Sequence, residues 1–387
     1  MAGVDLEAWA KNLNRASAGL TDASVESFEN GIREQLKLLK TSHTVFYHGS
    51  FGRFLPQHSI NATLKSIGAN GDALWFFLDV FPEGPADKAG IRPGEILREI
   101  DGVPTQPPTL PVLKTGEKYT LALSSPSARR DVTVEVPFRK GTKERPPIVE
   151  PKAVTHRVLP GNIGLLRIPY FSGSAGMRFG AALSTAVAEL NGQGVDRLIV
   201  DLRGNIGGSL GFSMLASYLC PDKRPIGYSI TPKTVRHGYD KNKLPRVPMP
   251  RTKAALLATL AAFAVRDKSV VLLTQGLGPQ PFHGRVVFLV NEWTNSAGEM
   301  VASFAKENRL ATVVGTKTAG NVLGATNFKV GAGYWLRLPI FGWITWNGDS
   351  LEGTGVVPDV EVEVDPELLS EGVDHQMDSA VATATGL

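Results

Sequence analysis

Two Gly- and Ser-bearing junctions hold the residues that could do chemistry. In Asn291-Glu-Trp-Thr-Asn-Ser296-Ala-Gly-Glu-Met300 a single serine stands between an apolar strand-like run, Gly284 to Val290, and the helically spaced apolar residues of Ala297 to Lys306. A serine placed there can project its hydroxyl into a cleft while nearby backbone N–H groups point at whatever it attacks. The same position suits a helix N-cap, a common role for serine. The second junction is Leu198-Ile-Val-Asp201-Leu-Arg203-Gly204-Asn205-Ile-Gly207-Gly208, again after an apolar strand. Successive glycines let backbone amides turn outward with no Cβ in the way, which would cradle an oxyanion.

Together the two segments resemble the peptidase family that includes the C-terminal processing (tail-specific) proteases and the catalytic core of tricorn protease. In that family a strand ending Asp-Leu-Arg-x-Asn-x-Gly-Gly precedes a nucleophile segment Asn-x-x-Thr-x-Ser-Ala-x-Glu, and the resemblance spans most of this chain. It implies a serine endopeptidase acting on protein or peptide substrates, with Ser296 as nucleophile and no metal or organic cofactor. The oxyanion would meet the amide of Ala297 and one from Gly207 or Gly208. Thr318 and Asn321 would either line the site or serve only as structural turn residues.

The family divides on how the serine is activated. One branch uses a lysine closing a Thr-x-Gly-Lys segment, but here Thr318-Ala319-Gly320 runs into Asn321. Lys317, before the threonine, reads as a solvated or structural charge. The other branch, with tricorn protease and a secreted chlamydial protease, has a Ser-His-Glu arrangement. Leu38-Leu-Lys-Thr-Ser-His43-Thr-Val-Phe resembles the segment Leu-x-Asp-x-His-Thr that supplies its histidine, with Thr41 where the aspartate is expected. The resemblance therefore implies His43 as base, since imidazole titrates near neutrality; His48 is the nearest competitor. Glu352, in Glu352-Gly-Thr-Gly355-Val-Val-Pro358-Asp359, resembles the family's Glu-x-x-Gly-Val-x-Pro-Asp element. Its carboxylate would accept the Nδ1 proton of His43. The alternative is an ordinary acid in a Gly/Pro turn.

These residues need elements to hold them, and the chain divides accordingly. Residues 1–59 read as a helical segment, with apolar spacing at Leu6, Trp9 and Leu13 and at Phe28, Ile32 and Leu36, a turn at Thr21 to Ser24, and His43 at its exit. Residues 60–139 alternate strand-like runs with turns. The segment Gly84-Pro-Ala-Asp-Lys-Ala-Gly90-Ile-Arg-Pro-Gly94-Glu-Ile-Leu-Arg-Glu-Ile-Asp101-Gly102 resembles the signature of bacterial-type PDZ domains, with Glu95 in place of the usual aspartate. Such a domain implies docking of an extended peptide by strand addition, expected along Leu74 to Val80, or a degenerate module that only gates the cleft. Residues 140–155 form a linker, Pro- and charge-rich from Lys140 to Pro147.

Residues 156–387 alternate strand and helix patterns, so the fold class is α/β (α+β), and the resemblance implies a crotonase-like ββα-spiral core. Ser209 to Gln280, with the polar stretch Arg236 to Lys243, reads as an insertion or lid. Asp365 to Leu369 and Gln376 to Ala384 read as closing helices.

Composition excludes several classes. Of 387 residues 42% are apolar and 20% charged, ordinary globular usage that argues against disorder. A net charge of +4 from dispersed residues gives no patch for nucleic acid. Cys220 is the sole cysteine, at an apolar helix end, which excludes an internal disulfide and a multi-cysteine metal site. No apolar run reaches membrane-span length, and residues 1–19 lack an apolar leader core, so the chain as written reads as cytoplasmic, or as periplasmic or secreted if trimmed. Oligomeric state is not legible. A non-catalytic ligand- or peptide-binding protein on the same scaffold, like the retinoid-carrying modules of the eye that resemble these proteases, is the alternative function.

Overall fold

The computed structural model describes the chain except for residues 1–5, 19–23, 50–51, 69, 138–151, 173–176, 249–267, 279–281, 283 and 387. The expected linker Lys140 to Pro147 and turn residues Thr21 to Ala23 thus lie outside the described residues.

The core is a six-stranded sheet in the order Thr155–Leu159, Ile163–Arg167, Arg197–Asp201, Arg285–Val290, Thr312–Gly315, Val360–Glu361. The first pair is antiparallel and the rest run parallel. Parallel strands must be covered on both faces, so they read as nearly continuous apolar runs. One face, with Leu166, Val200 and Phe288, packs under helices Met177–Gly192, Gly211–Leu219 and Ala297–Glu307. The other, with Leu165, Ile199 and Leu289, packs under Ala380 and Ala384 of the closing helix His375–Thr385.

This arrangement brings both chemistry-bearing junctions to the same end of the sheet, because Arg197–Asp201 and Arg285–Val290 are parallel neighbours and each leads into a loop at its C-terminal end. Ligand sites in open α/β sheets occur at such strand ends.

A second sheet, with Tyr334–Thr345 as its longest strand, carries Val45–His48 on the His43 side and also contains Pro225–Ile230, Val271–Leu273, Arg246–Pro248 and Gly324–Gly331. Helices Leu6–Ala18 and Val25–Lys37 pack on it through Trp9, Phe28, Ile32 and Leu36 against Phe46, Tyr334 and Leu336. These two helices fix the stretch before His43 to the sheet that carries the histidine segment, while Val45–His48 and Arg53–Phe54 within residues 1–59 are strands.

The span Ser209 to Gln280 differs from expectation. Its first part is not a lid: Gly211–Leu219 is a core helix with Phe212, Leu215 and Leu219 buried, and Pro225–Ile230 is an interior strand of the second sheet. Apolar residues needing cover outweighed the loop formers that suggested an insertion. Among the described residues of the span, the stretch from Pro232 to Arg246 is largely solvent-facing.

The third sheet runs Ala62–Ile67, Leu74–Val80, Ile96–Ile100, Lys118–Ser124, Arg129–Glu135, over a core of Leu64, Trp75, Phe77, Leu97, Leu121 and Val134. Leu74–Val80 pairs with Ala62–Ile67 along one side and with Ile96–Leu97 through Trp75 and Phe76 on the other, so it is an interior strand and the expected docking along it is corrected; the sheet's edge strands are Ala62–Ile67 and Arg129–Glu135. Glu95 is buried and bound by Arg130 through two hydrogen bonds of 2.8 Å, which a shorter aspartate would reach less readily.

Candidate active site

Ser296 sits at the N-terminus of Ala297–Glu307 with φ 52° and ψ −113°. An ordinary N-cap has extended backbone, and a positive φ on a non-glycine residue signals imposed strain. The Ser296 backbone thus departs from that of an ordinary cap, although Glu299 still closes a capping box with it. His43, also singled out from sequence, has φ 59°, whereas Glu352 is not among the positive-φ residues.

The turn is held by Glu299, which is fully buried. Its Oε2 accepts the amides of Ser296 (2.9 Å) and Asn321 (2.9 Å), and its Oε1 accepts the Thr318 hydroxyl (2.7 Å) and the Gly320 amide (2.6 Å). Burial pushes the carboxyl above its usual range, and these four donors oppose that shift. Thr318 and Asn321 thus frame the serine turn through Glu299. Asn321 also donates to Asn295 Oδ1 at 2.8 Å.

Asn205 joins the two junctions. Its carbonyl accepts the Asn295 amide (2.8 Å), its Nδ2 donates to Ile168 (2.6 Å), and its Oδ1 accepts the Gly207 amide (2.7 Å). Gly207 packs so closely that a Cβ added there would stand 2.7 Å from Ser296 Cβ and 3.3 Å from the Ala297 nitrogen. Phe171 meets the Gly207 carbonyl and the Ser209 amide, leaving the Gly208 N–H on the opposite side of the chain. Among the described residues no acceptor meets the Gly208 or Ala297 amides.

His43 lies at the exit of the helical segment. Its Nδ1 is 2.9 Å from Ser42 Oγ, and Ser42 donates from Oγ (2.9 Å) and from its amide (2.7 Å) to the two oxygens of Glu352. The direct His43 to Glu352 bond expected from sequence is corrected: Ser42 stands between them. Because the carboxylate can only accept, the Ser42 proton points to Glu352 and Ser42 Oγ accepts from Nδ1–H, which leaves Nε2 as the free acceptor. Glu352 also accepts the Val322 amide at 3.0 Å, so the histidine and serine segments converge on the loop from Thr318 to Val322. No hydrogen bond joins Ser296 to His43 in this structure. Burial lowers the His43 pKa, Arg337 lowers it further, and Glu352 pulls it up; the net is below the ordinary value.

The competing residues are placed elsewhere. Lys317 is exposed. The His48 ring bonds the Ala332 carbonyl at 3.1 Å and packs edge-on against Tyr334. Cys220 is buried, as expected. Ser42 and Glu299 received no role from sequence. Their signals were adjacency to His43 and the glutamate three residues after the serine.

A strained serine turn at the strand ends of an α/β sheet, a half-buried histidine segment on a second sheet and a small, mostly antiparallel domain make up the architecture around Ser296. The family model of peptidase family S41 matches residues 162–362, and a PDZ domain model matches 76–111. The chain belongs to peptidase family S41. It is 27% identical to putative tricorn protease homolog 2 of Streptomyces coelicolor over 94% of this chain and 29% of that protein. It is 26% identical to the carboxyl-terminal-processing protease of Synechocystis, over 78% of this chain and 63% of the relative. The chain thus spans less than two thirds of the length of these relatives. Among solved structures, mature CPAF complexed with lactacystin superposes with a TM-score of 0.62 at 16% identity, covering 100% of this chain and 94% of that one. The photosystem II D1 C-terminal processing protease gives 0.54 at 21%, covering 94% and 92%. Both likenesses concern the fold.

Proposed function

We propose that the chain is a serine endopeptidase of the Ser-His-Glu type, hydrolysing peptide bonds of protein or peptide substrates. Its PDZ domain would span about residues 60–139 and its peptidase core 156–387, by the composition and pattern changes along the chain. The observation that carries the reading is the Ser296 turn: a positive-φ serine at a helix N-terminus, flanked by the uncommitted amides of Ala297 and Gly208.

In this reading His43 Nε2 takes the Ser296 proton as Oγ attacks the scissile carbonyl, and the Ala297 and Gly208 N–H groups receive the developing oxyanion. Gly207 shapes the turn, its own amide being engaged by Asn205. His43 then protonates the leaving amine, and water hydrolyses the acyl-enzyme by the same steps. Ser42 and Glu352 hold the Nδ1–H tautomer and stabilise the imidazolium. The serine to histidine bond closes on substrate binding, since catalytic hydrogen bonds are often long in unliganded sites.

The test is labelling of the purified protein with a fluorophosphonate, mapping of the adduct, and assay of Ser296→Ala on an unfolded protein. The expected outcome is an adduct on Ser296 and a loss of turnover on the order of 10⁶. Retained proteolysis by Ser296→Ala would sink the assignment.

A further inference from the structure

Arg337 stands beside the proposed catalytic base with no acid to neutralise it. It lies on Tyr334–Thr345, opposite Val45 of the strand that follows His43, and its charge acts on the His43 ring. Its Nε is covered yet meets no acceptor, and among the described residues no hydrogen bond or ion pair to its guanidinium is present. Arg167 and Arg203, by contrast, are both held by Asp201, and Arg203 also by Asp374. A covered donor without a partner calls for an explanation.

The strand register decides what shares its face. Side chains two residues apart along a strand, and those directly opposite on neighbouring strands, point the same way. Phe46, Tyr334 and Leu336 turn toward the helices Leu6–Ala18 and Val25–Lys37. Val45, Tyr47, Asn327, Lys329, Trp335 and Arg337 occupy the opposite face. None of the six is buried, and none packs into an apolar core. Two are cations and none is acidic, so this face offers aromatic surface and unbalanced positive charge next to His43.

A fixed cation here works against the reaction. When His43 takes the serine proton it becomes an imidazolium, and Arg337 disfavours that charge. Glu352 does not neutralise Arg337 by contact, since its oxygens are engaged by Ser42 and Val322. An anion brought by the substrate would pair with Arg337 and lift this opposition in the complex alone, which favours turnover of the substrates that carry one.

We propose that Arg337 selects substrates with an acidic side chain close to the scissile bond, its guanidinium receiving that carboxylate. The occupant follows from charge complementarity: the face is positive, it has no acid of its own, and a guanidinium fork matches a carboxylate in shape as well as sign. A substrate attacked by Ser296 must pass His43, so the side chains flanking its scissile bond come within reach of this face. The inference rests on the peptidase reading above and adds a substrate preference to it.

The experiment uses end-blocked peptides that are identical except for Glu, Gln or Lys placed in turn at each position within about three residues of the scissile bond. They are tested on the unchanged protein and on Arg337→Met, Arg337→Lys and Arg337→Glu, beside a Gln peptide with a free C-terminus. The expected result is that kcat/KM for Glu exceeds that for Gln by about tenfold at one position or more, the scale of a charge-assisted hydrogen bond. The ratio should approach one in Arg337→Met, survive in part in Arg337→Lys, and turn in favour of Lys in Arg337→Glu. Ratios taken within one variant are insensitive to loss of folded protein. Equal rates for Glu and Gln in the unchanged protein, a preference that persists in Arg337→Met, or one carried only by the free C-terminus would overturn the proposal. Absence of both cleavage and fluorophosphonate labelling of Ser296 in the unchanged protein would count instead against the peptidase reading.

Discussion

At His43 the balance of burial, Arg337 and Glu352 leaves the imidazole below its ordinary pKa of 6.5. Only the neutral ring can accept the Ser296 proton, so kcat/KM should fall on the acid side with an apparent pKa under 6.5. The same shift means that any stability linked to the neutral ring is fully present above 6.5 and is lost as pH falls through the lowered value. Arg337→Met removes one of the two lowering influences, so the acid limb of the rate profile should move upward while the plateau holds. A limb that stays put in Arg337→Met would remove Arg337 from this account. Ser42 shows why a single residue matters here. It converts a carboxylate that does not touch His43 directly into one that fixes its tautomer.

Among the elements, the two loops at the C-terminal ends of Arg197–Asp201 and Arg285–Val290 act as one unit, tied by Asn205 and pressed together at Gly207. Gly207 has φ 83°, where a side chain is strained, and the space a Cβ would need is taken by Ser296 Cβ and the Asn295 carbonyl. Gly207→Ala should cost about 1–3 kcal/mol of stability through backbone strain. It should also lower kcat by roughly 10²–10³, as for a lost oxyanion donor, because the serine or its neighbouring amides must move. Urea unfolding beside turnover measures both. A folded Gly207→Ala protein with unchanged kcat would mean that the close approach does not position the serine.

For the molecule as a whole, the PDZ module and the core are joined by polar bonds that end on the nucleophile segment. Asp79, half-buried on the PDZ strand Leu74–Val80, accepts from Thr63 Oγ1 (2.6 Å) and from Asn291 Nδ2 (2.9 Å), and Asn291 Oδ1 accepts the Gly204 and Trp293 amides. Burial pushes the Asp79 carboxyl up, against the pull of Arg203, Thr63, Arg167 and Asn291. Asp79→Ala would leave the Asn291 side-chain amide and the Thr63 hydroxyl without this acceptor, and such a loss typically costs about 1–3 kcal/mol. Chemical denaturation should show the loss as a lowered midpoint. A change under about 1 kcal/mol would show that water replaces the carboxylate and that the two modules are joined mainly elsewhere.

The local patterns of this chain determined a good part of it: alternating strand and helix patterns specified an α/β core, the Gly and Ser junctions marked where loops must turn, and resemblance to a known family's motifs offered Ser296, His43 and Glu352 as candidates. Such features are legible because they depend on neighbours a few residues away. The edge assignment of the PDZ sheet, the placing of Gly211–Leu219 in the core, the insertion of Ser42 between His43 and Glu352, and the use of Gly207 as a spacer depend on contacts between segments from tens to hundreds of residues apart. Ser42 and Glu352 are 310 positions apart in sequence and 2.9 Å apart in space. No periodicity or spacing encodes such a meeting, since a hydrogen bond's partner is chosen by the packing of whole sheets, and that only the tertiary structure decided.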